Sequence, residues 1–103
     1  MTKLFIKPEH LEQIKGIIKE LYPKAIVWAY GSRINGSAHE GSDLDLAIKS
    51  FGTEKGSSFD LKEALVESNI PFLIDVLVFD ELPKSFQAEI AKNYVEIYNG
   101  TDE

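Results

Sequence analysis

A chain of 103 residues with 44% hydrophobic and 27% charged residues is long enough to form one domain around a single core. It has no cysteine, which excludes disulfides and thiolate metal sites, and no run of about eighteen apolar residues that could cross a membrane. The formal net charge of −6 and the dispersed lysines argue against direct binding of bulk nucleic acid. Because the amino terminus lacks an apolar signal-peptide core, we expect a single cytoplasmic domain over residues 1–103.

The first third of the chain predicts a helix followed by a strand. Apolar residues between Pro8 and Leu21 recur with the spacing of one helical face, and Pro23 ends this helix. Residues 25–30 are rich in β-forming side chains and predict a short buried strand. Gly31 then begins a turn, with a candidate helix start before Gly36.

A second strand is predicted over residues 42–49, where apolar and polar residues alternate. The alternation places two sets of side chains on opposite faces of the strand: Leu44, Leu46 and Ile48 on one, Asp43, Asp45 and Ala47 on the other.

The remaining chain predicts a helix, a strand and a further helix. Ser57 and Asp60 resemble a capping box that opens the first of these helices. Residues 72–79 predict the third strand, Pro83 begins the last helix, and residues 94–98 can add a short strand. The order α-β-α-β-α-β-α predicts an α/β (α+β) fold, with helices packed around a small sheet.

Asp43 and Asp45 are candidate metal ligands. Two positions apart on a strand, they project from the same face about 6.6 Å apart at their backbones. From there the two carboxylates can converge on a pair of divalent ions about 3.5–4 Å apart. Taken alone, an Asp-x-Asp pair is more often a solvent-facing strand surface.

Asp75 is the third candidate, because it lies mid-strand on a face shared with Leu73, Leu77 and Phe79. A carboxylate among such neighbours carries a desolvation penalty unless something compensates it. Compensation can come from a buried salt bridge, from protonation, or from a metal ion shared with a neighbouring strand. We favour the last reading, in which three carboxylates form an oxygen-rich magnesium site.

The turn at Gly31-Ser32-Arg33 is a candidate phosphate-binding segment. Glycine lets backbone approach a ligand, free amides at a helix start attract phosphate oxygens, and the Ser32 hydroxyl can add a hydrogen bond. Arg33 can offer positive charge to a triphosphate, although a surface ion pair is an equal alternative. Alone, a Gly-Ser pair is an ordinary turn, and this one lacks the spacing of a P-loop.

Together these residues resemble a known family. The run GSRINGSAHEGSDLDLAI is similar to the signature of the DNA polymerase beta-like nucleotidyltransferases: Gly-Ser, about ten residues, then Asp-apolar-Asp-apolar, with a third carboxylate on a later strand. Matches at Arg33, Gly36 and Ser42 resemble its short branch, the minimal nucleotidyltransferases, whereas Asn35 replaces a basic residue of many relatives. The resemblance implies the polymerase beta catalytic-domain-like fold, a small mixed sheet packed by helices.

The resemblance also implies an activity. Asp43, Asp45 and Asp75 would bind two Mg²⁺ ions, or Mn²⁺ in their place, while Gly31 and Ser32, with Arg33, would hold the phosphates of a nucleoside triphosphate. An acceptor hydroxyl would receive the nucleoside monophosphate, with ATP as the expected donor. Minimal nucleotidyltransferases typically accompany a helical HEPN-type protein, often as antitoxin to its toxin, so we expect such a partner. The alternative is a non-catalytic antitoxin that neutralises its partner by contact.

Overall fold

The computed structural model describes residues 4, 6–31, 34, 43–53 and 55–102. Within them three α-helices and four β-strands follow in the order α1 Pro8–Leu21, β1 Ile26–Tyr30, β2 Leu44–Ser50, α2 Ser58–Val66, β3 Ile74–Val78, α3 Lys84–Lys92 and β4 Val95–Asn99. Short 3-10 helices at Phe79–Glu81 and Gly100–Asp102 follow β3 and β4.

The four strands form one mixed sheet in the order β3-β2-β1-β4. Strand β1 pairs antiparallel with both β2 and β4, and β2 pairs in parallel with β3. The parallel pair is connected through α2, as a parallel crossover requires. This arrangement confirms the predicted small mixed sheet packed by helices.

One face of the sheet carries the main hydrophobic core. The alternation predicted for β2 is confirmed, because Leu44, Leu46 and Ile48 are all buried there. Helices α1 and α2 cover this face with the fully buried side chains of Ile14, Ile18, Leu61 and Leu65. Among the described helices, none is both long and apolar enough to span a membrane.

The opposite face is covered only in part. A smaller cluster joins Ala47, Phe79 and Ile90, with Trp28 stacked on Tyr94 at a centroid distance of 3.9 Å. This cluster lies toward the end of β2 that is remote from Asp43. The beginning of β2 and the neighbouring half of β3 therefore present their side chains toward solvent on this face.

The starts of helices α1 and α2 agree with the sequence patterns, except that one hydrogen bond at the start of α2 has a different partner. Helix α1 has the predicted bounds, and Ser57 caps α2 by accepting a hydrogen bond from the Phe59 amide at 3.1 Å. In a capping box the Ser57 amide would donate to Asp60, whereas here it donates to the Tyr22 hydroxyl at 3.0 Å. Tyr22 is buried, and its hydroxyl group takes the place of the Asp60 carboxylate as the acceptor of the capping box.

Two further predictions concern the strand at 94–98 and the helix start after Gly31. The predicted short strand is present as the edge strand β4, Val95–Asn99, which gives the sheet its fourth strand. The helix start predicted between Gly31 and Gly36 falls mostly on residues outside the described ranges. Of that segment, Ile34 is described, and it is buried in the main core.

Candidate active site

The register of the sheet aligns three polar residues across neighbouring strands. Tyr30 at the end of β1 is opposite Asp45 on β2, and Asp45 is opposite Asp75 on β3. Neighbouring strands lie about 4.8 Å apart, so residues paired in register on one face are in each other's immediate surroundings. The alternation of buried residues places all three side chains on the partly covered face.

Asp43 joins this row from the residue just before β2 and is exposed to solvent. The first hydrogen bond between β2 and β3, from the Leu44 amide to the Leu73 carbonyl at 2.9 Å, fixes the backbone directly after it. Asp43 and Asp45 therefore share one face of β2, as the sequence predicts, and Asp75 lies beside them on the parallel strand.

The pKa shifts at the site show that the three carboxylates act on one another. Burial raises the pKa of Asp45 above its usual range, and the negative charges of Asp75 and then Asp43 raise it further. Burial, Asp45 and Asp75 likewise raise the pKa of Tyr30 to about 12. Asp45 thus lies in a negative field set up by both other aspartates, which is the condition that a hard cation relieves.

The prediction that Asp75 is surrounded by apolar side chains without solvent is wrong. Its side chain is 49% exposed, and Leu73 on the same face is 69% exposed. Instead of a buried partner, Asp75 has an exposed one, since Lys62 on α2 donates to Asp75 Oδ1 at 3.2 Å. Because β3 is an edge strand, water and the Lys62 ammonium both reach this carboxylate.

Gly31 meets a steric requirement at this site, in addition to its predicted phosphate-binding role, which stays a prediction. Its φ of +83° lies in the left-handed region, and a Cβ at this position would overlap Asp45 Oδ2 and lie 3.3 Å from Asp45 Cγ. Glycine is therefore required both by the turn and by the close approach of the Asp45 carboxylate. The Gly31 carbonyl accepts a hydrogen bond from the Ile34 amide at 3.2 Å, which leads the chain back to the core.

Two predicted nucleotide-binding residues, Ser32 and Arg33, lie outside the described residues. Two residues that the sequence patterns did not single out belong to the surroundings of the site. Tyr30 could have been found from strand alternation, because it is two residues after Trp28 and immediately before Gly31. Lys62 is one of several exposed lysines, and no local pattern marks it as the partner of Asp75.

The aspartates suit a magnesium ion by chemistry, since three carboxylates supply only hard oxygen ligands. Within the described ranges, however, no three acidic or histidine side chains are already gathered at the spacing of a metal cluster. One oxygen of Asp75 is paired with Lys62, so a shared ion would compete with this ammonium. By their chemistry the three carboxylates fit a divalent cation.

Comparisons with known proteins agree with the geometry. The family model described as polymerase beta, nucleotidyltransferase, matches residues 12–103. A relative from Haemophilus influenzae, named probable protein adenylyltransferase MntA, is 43% identical over 97 residues, which are 93% of this chain and 85% of that protein.

Two crystal structures share the fold. A toxin-antitoxin with AMP-PNP superposes with a TM-score of 0.70 at 18% identity, covering 86% of this chain and 73% of that one. The toxin-antitoxin MntA-HepT superposes with a TM-score of 0.65 at 14% identity, covering 90% and 73%. The family match covers the strands that carry Asp43, Asp45 and Asp75, and it confirms the resemblance drawn from the sequence: this chain belongs to the polymerase beta nucleotidyltransferase family.

Proposed function

We propose that this nucleotidyltransferase moves AMP from ATP to a hydroxyl group on a helical HEPN-type partner protein, with Mg²⁺ as cofactor, and serves as the antitoxin of that partner. The observation that carries the proposal is the register that places Asp45 opposite Asp75, with Asp43 two residues away on the same face. An enzyme that transfers a phosphoryl-linked group needs chiefly positioned charges.

Each aspartate has a role that follows from its place. Asp43 is exposed and Asp45 half-buried beside Gly31, so their oxygens would hold the cations that accompany the triphosphate. Two bound magnesium ions would stabilise the charge on the attacking and leaving oxygens of an in-line displacement. Asp75, on the exposed edge strand, would orient the acceptor hydroxyl and accept its proton.

In this reaction the acceptor oxygen attacks the α-phosphorus of ATP. A new P–O bond forms to the acceptor, the bond from the α-phosphorus to the bridging oxygen breaks, and pyrophosphate leaves. Gly31, and by family resemblance Ser32 and Arg33, would anchor the phosphates that depart. The exposed position of Asp75 leaves room for a bulky acceptor, such as a side chain on a second protein.

Relatives support the choice of nucleotide and partner. The Haemophilus influenzae protein is named for adenylyl transfer to protein, one structure of the same fold contains AMP-PNP, and another is a toxin-antitoxin named MntA-HepT. The high identity to the first of these, over most of both chains, is the reason for preferring AMP and a protein acceptor here.

The test of the site is calorimetric titration of Mg²⁺-ATP into the wild type and into Asp43→Asn and Asp45→Asn. We expect both substitutions to abolish magnesium-dependent binding, because each removes an anionic ligand, while the fold is retained. Asp80→Asn is the matched control, since Asp80 is exposed on the 3-10 helix after β3 and carries the same charge. Equal binding by the wild type and the Asp43→Asn/Asp45→Asn double variant would show that the aspartates are not the site.

A second candidate function is a non-catalytic antitoxin that neutralises its partner by contact. It is favoured by one observation, that the carboxylates of the described chain are not gathered at metal-binding spacing. To separate the two, the protein is incubated with Mg²⁺, ATP and the product of the adjacent reading frame, and the partner is weighed by mass spectrometry. Addition of one AMP that Asp45→Asn abolishes supports the enzyme, whereas an unmodified but neutralised partner supports the contact mechanism.

A further inference from the structure

Lys62 is the cation that the structure places against Asp75. Its Nζ lies 3.2 Å from Asp75 Oδ1, and the side chains of both residues are 49% exposed. We propose that Lys62 is a positioning residue, whose ammonium occupies Asp75 Oδ1 until a divalent cation displaces it. The inference rests on the proposed function, in which Asp75 completes the metal site.

The path of the Lys62 side chain supports this role. Helix α2 packs on the main-core face through Leu61 and Leu65, whereas Asp75 projects from the opposite face of the sheet. Since β3 is the edge strand, the flexible four-carbon stem of Lys62 can pass around the rim of the sheet to reach Asp75. The ammonium therefore reaches Asp75 Oδ1 from the rim of the sheet.

The like charges explain why Asp75 keeps this partner without a metal. Asp45 and Asp75 are direct cross-strand partners, and Asp43 shares their face. Two carboxylates so close repel each other, and the Lys62 ammonium offsets part of this repulsion by pairing with Asp75.

The ion pair is weak enough to be exchanged. A half-exposed ion pair of this kind shifts the equilibrium between paired and separated side chains by at most about fivefold. A divalent ion carries twice the charge and coordinates the carboxylate directly. Asp43 and Asp45 can bind the first cation while Lys62 is still in place. Asp75 then joins the site when a second cation binds, so Lys62 opposes this second binding step.

The test is a Mn²⁺ titration of the full chain without nucleotide. The electron paramagnetic resonance signal of free Mn²⁺ measures how much Mn²⁺ is bound. We expect Lys62→Ala to bind the second Mn²⁺ about two- to fivefold more tightly than the wild type, because the cation that competes for Asp75 is removed. Lys92→Ala is the matched control, since Lys92 forms a comparable exposed pair with Glu89 at 3.4 Å on α3. It removes the same charge and should leave the affinity unchanged.

Other results of this titration overturn the inference. Unchanged Mn²⁺ affinity in Lys62→Ala would make Lys62 an ordinary surface ion pair, and weaker affinity would mean that Lys62 assists rather than opposes metal binding. Absence of Mn²⁺ binding by the wild type would overturn this inference together with the proposed function. Binding by the wild type with no response to Lys62→Ala overturns this inference alone.

A second readout follows the lysine itself. Reductive methylation with ¹³C-formaldehyde keeps the positive charge of each lysine and gives it a methyl resonance. On addition of Mg²⁺ we expect the Lys62 signal, assigned by its loss in Lys62→Arg, to move toward the position of a solvated lysine. The Lys92 signal should stay in place, and in Asp75→Asn the Lys62 signal should already lie at the solvated position. A Lys62 signal that does not respond to Mg²⁺ would contradict displacement.

Discussion

At the end of β1, the hydrogen that Gly31 has in place of a side chain leaves room for the Asp45 carboxylate. Gly31→Ala should therefore lower the free energy of unfolding by about 1–3 kcal/mol, the usual cost of a left-handed backbone at a non-glycine residue. It should also weaken Mg²⁺-ATP binding, because the added methyl group displaces the Asp45 carboxylate. Urea unfolding and calorimetric titration measure the two effects.

The control for this substitution is Gly16→Ala in the middle of α1. A Cβ at Gly16 meets nothing within 4 Å, and alanine is the better helix former there. Gly16→Ala should raise the free energy of unfolding by about 0.5–1 kcal/mol and leave nucleotide binding unchanged. If both alanine variants had the same effect, the close contact between Gly31 and Asp45 would have no energetic weight.

Asp45 makes the stability of the metal-free protein depend on pH. Its pKa is raised by burial and by Asp75 and Asp43, so ionisation of Asp45 is less favourable in the folded than in the unfolded state. The stability that the protonated form contributes is complete below the unfolded-state pKa, and is lost as pH rises through the folded-state pKa. Asp45→Asn should thus be more stable than the wild type at neutral pH, by less than about 1 kcal/mol given the solvent screening.

Urea unfolding in EDTA between pH 3 and pH 7 tests this expectation. The difference between Asp45→Asn and the wild type should shrink toward zero as pH falls to the unfolded-state pKa of about 3.9. Saturating Mg²⁺-ATP should reverse the order at neutral pH, because a ligand stabilises only the protein that binds it. A wild type that is the more stable form at pH 7 in EDTA would contradict the raised pKa.

At the residue scale the sequence predicted that three aspartates lie together on one face of the sheet, and their binding of metal stays a prediction. Asp43 and Asp45 follow from strand alternation, which is a local property of the backbone. Asp75 was selected because its neighbours in sequence are apolar, yet Leu73 beside it is exposed at the sheet edge. Edge position and the contact with Lys62 depend on strand order, which a local pattern does not contain.

Among the elements, α2 is stabilised at its start by the hydroxyl group of Ser57. Ser57→Ala removes the acceptor for the Phe59 amide and should lower the free energy of unfolding by about 0.5–2 kcal/mol, the usual cost of a lost N-cap. Thermal and urea unfolding of this variant measure the loss. Ser58→Ala is the neighbouring control, since position 58 is already inside the helix and alanine is favourable there. An equal loss in both variants would mean that the cap bond contributes nothing.

Helix ends and strand partners differ in how far they could be predicted. The bounds of α1 follow from Pro8, apolar periodicity and Pro23, all of them within one stretch of chain. The role of Tyr22 at the start of α2 joins residues 35 positions apart and requires the packed fold. The same holds for the parallel pairing of β2 with β3, on which the register of Asp45 and Asp75 depends.

For the whole molecule, the main core and the candidate site lie on opposite faces of the sheet. The main core lies on the face covered by α1 and α2, while the aspartates lie on the partly covered face and are reached by solvent. Two adjacent residues of β2 belong to different faces: Leu46 is fully buried in the core, and Asp45 projects into the candidate site. Substituting each in turn separates the two contributions within one strand.

Leu46→Ala should lower the free energy of unfolding by about 2–5 kcal/mol, because it removes buried methyl groups and leaves a cavity in the core. That is a large fraction of the roughly 5–15 kcal/mol that stabilises a domain. Asp45→Asn should change it by less than about 1 kcal/mol while abolishing Mg²⁺-ATP binding. Urea unfolding in EDTA and calorimetry on the still-folded fraction distinguish the two variants. Since the aspartates contribute little to folding in this arrangement, a comparable loss of stability in both variants would mean that the site and the core are not separated by the sheet.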